Sequence, residues 1–98
     1  MSVTDEQGLH ASSYYGLARI AVLQRDPELA ERLFQKALES SPEPPVRTWV
    51  EVYLGRLSDA AGERAEAVNH YQRALAVEGG SKAAREAAQK GIQQSFQK

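Results

Sequence analysis

Cysteine is absent from the 98-residue chain, which removes disulfides, thiolate nucleophiles and cysteine-ligated zinc together and leaves the redox compartment unmarked. An excess of charge of either sign is absent too. Twelve Lys and Arg stand against thirteen Asp and Glu, a net charge of -1, so no overall field draws the chain to nucleic acid or to an anionic membrane. The most apolar stretch is broken by Arg19 and Arg25 and falls far short of the ~20 residues of a membrane span. Residues 1–10 lack the basic-then-apolar layout of a signal peptide. Localisation is left open, with the cytoplasm as default.

Catalytic motifs are equally scarce. There is no HExxH, no glycine-rich phosphate loop and no Gly-x-Ser-x-Gly elbow, so no enzyme activity, catalytic residue, metal or cofactor is expected. Glu66 and His70 lie one turn apart on one helical stretch, close enough to share a metal or a proton. A lone pair at that spacing is also what an ordinary solvated helix face carries, and that is the reading adopted for it and for His10.

What the chain does have is 42% hydrophobic and 26% charged residues, the balance of a folded domain rather than a disordered segment. Met1 to Gly8 is polar, and residues 1–9 are expected to form a flexible leader to a single domain over 10–98. From His10 to Arg25 apolar residues recur at helical spacing over an unusually broad face. Asp26-Pro27-Glu28 is a helix start: a capping carboxylate, a proline suited to the first helical position, and an acid at the positive helix end. Leu29, Ala30, Leu33, Phe34, Ala37 and Leu38 then form one stripe of a second helix. Ser41-Pro42-Glu43-Pro44-Pro45 cannot continue it, because proline lacks the amide donor and restricts its predecessor.

A third helix is expected over 46–61, with Pro45 suited to open it and Gly62 ending it, and a fourth over 64–77 before Gly79-Gly80. Ser81 is the expected N-cap of a fifth, whose small or apolar stripe runs through Ala84, Ala87, Ala88, Gly91, Ile92 and Phe96. A plain antiparallel bundle would show the same stripes. The repeat adds more. Displacing the chain by thirty-seven residues sets Ala18 on Gly55, Ala30 on Ala67, Phe34 on Tyr71, Ala37 on Ala74 and Leu38 on Leu75. Close helix crossings need Gly or Ala, and a large ring fills the gap beside them. Gly55 and Ala67 should mark one crossing, with Phe34 and Tyr71 as the fillers.

With those residues in place, the chain resembles the tetratricopeptide repeat family. Residues 11–44 are similar to one repeat through Ala18, Ala30, Phe34, Ala37 and Pro42, and residues 48–80 to a second through Leu54, Gly55, Gly62, Ala67, Tyr71 and Ala74. A capping helix over 81–97 follows. Glu51 departs from the pattern by standing where the family has an aromatic residue, and Trp49 lies two residues early. The resemblance implies an all-α, right-handed superhelix of helical hairpins with five helices, and a scaffold that binds a protein or peptide partner through a concave groove.

Carried over by position, the groove would include Ser12, Tyr15 and Arg19; Trp49, Val52, Tyr53 and Arg56; and Ala83, Glu86 and Lys90. Arg19, Arg56 and Lys90 would form a basic ladder flanked by aromatic residues, suited to an extended peptide with acidic groups. The same cations would equally solvate exposed helices. Tyr15, Arg19, Tyr53, Ala83 and Ala87 replace the lysine, asparagine and arginine clamp of the family's chaperone-tail binders, which disfavours that ligand.

The alternative is assembly. Eight of the ten residues from Tyr14 to Leu23 are apolar, more than one partner helix needs. Some of that surface is expected to meet a second chain or a missing preceding repeat, and for the 98-residue chain by itself the prediction is a homodimer through Ser13, Tyr14 and Ile20.

Overall fold

The computed structural model describes residues 3–96, with residues 3–9 described by backbone alone. Five helices follow in order: α1 (Val3–Leu23), α2 (Pro27–Glu39), α3 (Pro44–Ala60), α4 (Arg64–Ala76) and α5 (Lys82–Gln93). Each helix packs on the next. The first two and the next two make antiparallel hairpins, and α5 closes on α3 and α4.

The boundaries follow from local chemistry. The Asp26 carboxylate accepts from the Leu29 amide at 3.2 Å, and the Ser81 hydroxyl accepts from the Ala84 amide at 3.3 Å, each satisfying an amide that the first turn leaves free. The turns after α3 and α4 need a left-handed residue, supplied by Gly62 (φ 80°) and Gly79 (φ 74°), as glycine after a helix end usually does. The turns after α1 and α2 place Arg25 (φ 61°) and Ser41 (φ 52°) in that same region.

Three expectations need correction. Residues 3–9 of the expected leader are helical, because nothing between Thr4 and Gly8 breaks a helix and Asp5 and Glu6 suit its positive end. Met1 and Ser2 lie outside the described residues. The third helix opens at Pro44, two residues early, with Pro in its first turn and the Thr48 hydroxyl donating to the Pro44 carbonyl at 2.7 Å. The fifth ends at Gln93, four residues before position 97, where Gln94 turns to extended backbone (φ -148°).

The interior divides into two clusters. Ala18, Ala21, Ala30, Phe34, Ala37, Val50 and Leu54 fill the first hairpin and its junction with α3. Val52, Ala67, Tyr71, Ala74, Ala84 and Ala88 fill the second and its junction with α5. Phe34 and Tyr71 are the two largest fully buried side chains, one for each cluster. Truncating a ring so placed costs about 3–5 kcal/mol.

Close approach explains the glycines. A Cβ on Gly55 would lie 2.5 Å from the Tyr71 ring, and one on Gly91 would lie 2.6 Å from the same ring. Tyr71 therefore sits between α3 and α5 only because both helices present bare backbone to it.

Candidate peptide groove

The odd-numbered helices share a face. On α1, the Arg19 guanidinium lies 5.6 Å from the centre of the Tyr15 ring; on α3, that of Arg56 lies 5.6 Å from the centre of the Tyr53 ring. The two pairs repeat one arrangement, a cation laid on a tyrosine one turn before it.

The tyrosines are locked from beneath. Tyr53 stacks on buried Phe34 at 5.1 Å and 14°, while Tyr15 meets Phe34 at 6.2 Å and Tyr53 at 6.1 Å. Trp49 extends the row, 6.1 Å from Tyr53. Rings in these tilted and stacked geometries contribute beyond their buried area. Burial pushes the Tyr15 hydroxyl above its ordinary pKa, Tyr53 adds to that, and the positive fields of Arg19 and Arg56 oppose it.

Arg56 also meets a second ring. Its guanidinium lies 5.0 Å from the centre of the Phe96 ring, which arrives on the extended segment after α5. Arg64 pairs with Asp59, whereas Arg19 and Arg56 stack on rings and pair with no carboxylate among the described residues.

The remaining expected groove residues divide. Ser12, Ala83, Glu86 and Lys90 are exposed, and Glu86 and Lys90 line a cavity of about 570 Å³ with Arg56, Ala87 and Phe96. Val52 is fully buried, a correction to its expected groove position. It lies next to Glu51 on the inward side of α3 and packs among Ala67, Tyr71 and Ala84, so no ligand reaches it. Of the residues expected to pair two copies, Ser13 is exposed and Ile20 is 50% exposed, whereas Tyr14 is half-buried against the first cluster. Leu17 (51%) and Leu23 (83%) are exposed as well.

His70 does not belong to a solvated face. It is buried, and its Nδ1 lies 2.9 Å from the Glu51 carboxylate across the α3–α4 crossing. The acid at the family's aromatic position is thus matched by a histidine nineteen residues later. Glu66 remains exposed and pairs with neither. Among the described residues, no cluster of three or more His, Cys, Asp or Glu is arranged to hold a metal ion, and no helix is long and apolar enough to cross a membrane.

Asp59 carries a network that no motif announces. Its carboxylate, 1% exposed, accepts from Arg64 Nη1 at 3.1 and 3.0 Å, from the Tyr71 hydroxyl at 2.8 Å and from the Phe96 amide at 3.0 Å. Arg64 also donates to the Ile92 carbonyl at 2.7 Å. Burial alone would raise the Asp59 pKa, but the Phe96 amide, the Tyr71 hydroxyl and Arg64 together hold it below the ordinary value. Through these bonds α3 fixes α4 and the segment that delivers Phe96.

Stacked antiparallel hairpins, with crossings made by small residues against one ring and an open face on alternate helices, define a helical-repeat scaffold. The tetratricopeptide repeat profile matches residues 11–44 and again residues 54–83, and the chain belongs to that family, whose repeats are protein-interaction modules and typically non-enzymatic. No curated protein and no solved structure matches the chain significantly.

Proposed function

We propose that the face shared by α1, α3 and α5 binds an extended, acidic segment of a partner protein. The supporting observation is the repeated cation-on-tyrosine pair, Arg19 on Tyr15 and Arg56 on Tyr53. A guanidinium held on a ring keeps its in-plane donors free for a carboxylate, and little rotamer freedom remains to be lost when one arrives. Trp49 supplies an apolar surface beside the row, and Lys90 continues the positive charge toward α5. No catalytic residue, metal, cofactor or nucleic acid enters this reading.

The test compares the chain with its Arg19→Ser/Arg56→Ser variant on immobilised acidic peptides. Binding should fall by more than tenfold in the variant and should weaken with salt in the parent, with helicity unchanged. Equal affinity of the two proteins would retire the ladder.

A second reading, pairing of two copies, draws on a different observation: Leu17, Ile20 and Leu23 are all at least half exposed and recur every third residue on α1. Three such side chains on one ridge make a contiguous apolar strip. Ile20→Glu should shift the assembly toward monomer while keeping the far-UV helical signal. A parent that sediments as a monomer at high concentration would rule the pairing out.

A further inference from the structure

Phe96 is the one groove-side aromatic residue that comes from outside a helix, and its placement is over-determined. Its amide is bonded to Asp59, and the Ile92 carbonyl just upstream is held by Arg64. The ring, 39% exposed, lies 5.0 Å from the Arg56 guanidinium, which also lies 5.6 Å from the Tyr53 ring.

Beside these rings, between the C-terminal ends of α1 and α3, lies a cavity of about 640 Å³, within the range of preformed binding pockets. Val22, Tyr53, Leu57, Ala60 and Phe96 make its apolar walls, and its charged groups are Arg25, Arg56 and Asp26. The Asp26 carboxylate is bound to the first turn of α2 through the Leu29 amide. Neither arginine is paired with a carboxylate among the described residues. The cavity is therefore mostly apolar, with two arginines and one carboxylate on its lining.

We infer that this cavity is the specificity pocket of the groove: it takes a leucine-, isoleucine- or methionine-sized side chain of a partner peptide whose adjacent residue is Asp or Glu, with Phe96 and Tyr53 presenting Arg56 to that carboxylate. The inference rests on the groove reading above. Apolar walls alone would accept many ligands. Two lining cations, one of them against two aromatic rings, add the demand for a neighbouring negative charge.

The experiment uses the full chain and a library of amidated octapeptides, two adjacent positions varied through all residues in a Gly-Ser background. Binding is read from Trp49, the single tryptophan, which lies beside Tyr53. Selected peptides should pair an aliphatic residue with an acidic neighbour. Phe96→Ala should weaken them roughly tenfold. Phe96→Leu, which keeps the wall but not the ring, should weaken them about two- to fivefold.

Arg56→Gln should abolish the acidic preference while the aliphatic one survives. Phe96→Ala keeps the amide that bonds Asp59, so the segment stays anchored, and an unchanged melting temperature checks this. Acidic peptides lost from the Arg19→Ser/Arg56→Ser variant but bound equally by Phe96→Ala would overturn the pocket and leave the groove. Selection of peptides without the aliphatic-acidic pair would also overturn it, and absence of any acidic selection would overturn both.

Discussion

Replacing Asp59 by alanine removes the acceptor of four hydrogen bonds in one step. The Tyr71 hydroxyl, on a ring 1% exposed, loses its partner, and an unsatisfied buried hydroxyl costs about 1–3 kcal/mol. Arg64 is 38% exposed, so solvent screening holds the ion pair's share to about 1 kcal/mol or less. The Phe96 amide is close enough to solvent to bond water instead. Allowing for non-additivity within one network, the loss is about 2–3 kcal/mol, which for a domain of this size lowers Tm by about 10–20 °C.

The pH dependence carries the sign. The folded pKa of Asp59 is depressed below its ordinary value of 3.8, so its stabilisation is full above that value and is lost as pH falls through the lower, folded one. Tyr71 acts in the other direction. Its folded pKa is raised above the ordinary 10.0 by burial and then by Asp59, so its share persists through neutral pH and is lost only as pH rises through that raised value. Thermal melts of parent and Asp59→Ala, followed by circular dichroism from pH 2 to 8, should show a wide gap at pH 5–8 that narrows only in strong acid. A gap under about 2 °C at pH 7, or one that does not narrow in acid, would mean that Asp59 is not the junction described.

Gly55→Leu should cost roughly 1–3 kcal/mol by overpacking against Tyr71, read as a lowered denaturation midpoint; a parent-like midpoint would place Gly55 away from the ring. His70→Ala leaves the Glu51 carboxylate buried without its partner and should cost roughly 1–3 kcal/mol, whereas Glu66→Ala, at an exposed site, should melt like the parent. The Arg19→Ser/Arg56→Ser variant should bind more weakly at unchanged stability, and Ile20→Glu should alter sedimentation without altering helicity.

The helices and their crossings were legible because their signals are local. Asp26-Pro27, Gly62, Gly79 and Ser81 mark ends within a few residues of themselves, and the thirty-seven-residue displacement exposes the small residues and the two rings. The Tyr15–Arg19 and Tyr53–Arg56 stacks were partly legible, since both lie within one helical turn. Val52 was misplaced because neighbouring positions on a helix differ by about 100° in direction, and a register carried over from a pattern does not decide which side of α3 is covered once α5 packs there. Glu51 looked like a departure from the family's aromatic position. It is a substitution in kind, a polar pair with His70 in the space of a ring, and nothing within nineteen residues of either one announces the other.

The Asp59 network and the place of Phe96 were illegible for the same reason in a stronger form: Phe96, expected on the stripe of the fifth helix, lies past that helix's end, and its contact with Asp59 joins residues 37 apart. Yet the register of α3 couples them to the groove. Gly55 faces the Tyr71 ring, Arg56 beside it stacks on the groove tyrosine, and Asp59, one turn on, holds both the Tyr71 hydroxyl and the Phe96 amide. A rotation of α3 that made room for a side chain at Gly55 would carry Arg56 away from the Phe96 ring and pull Asp59 away from the Phe96 amide. The residue that sets how closely the second hairpin packs therefore also sets where the Arg56 cation points, and core and proposed binding face share a single register.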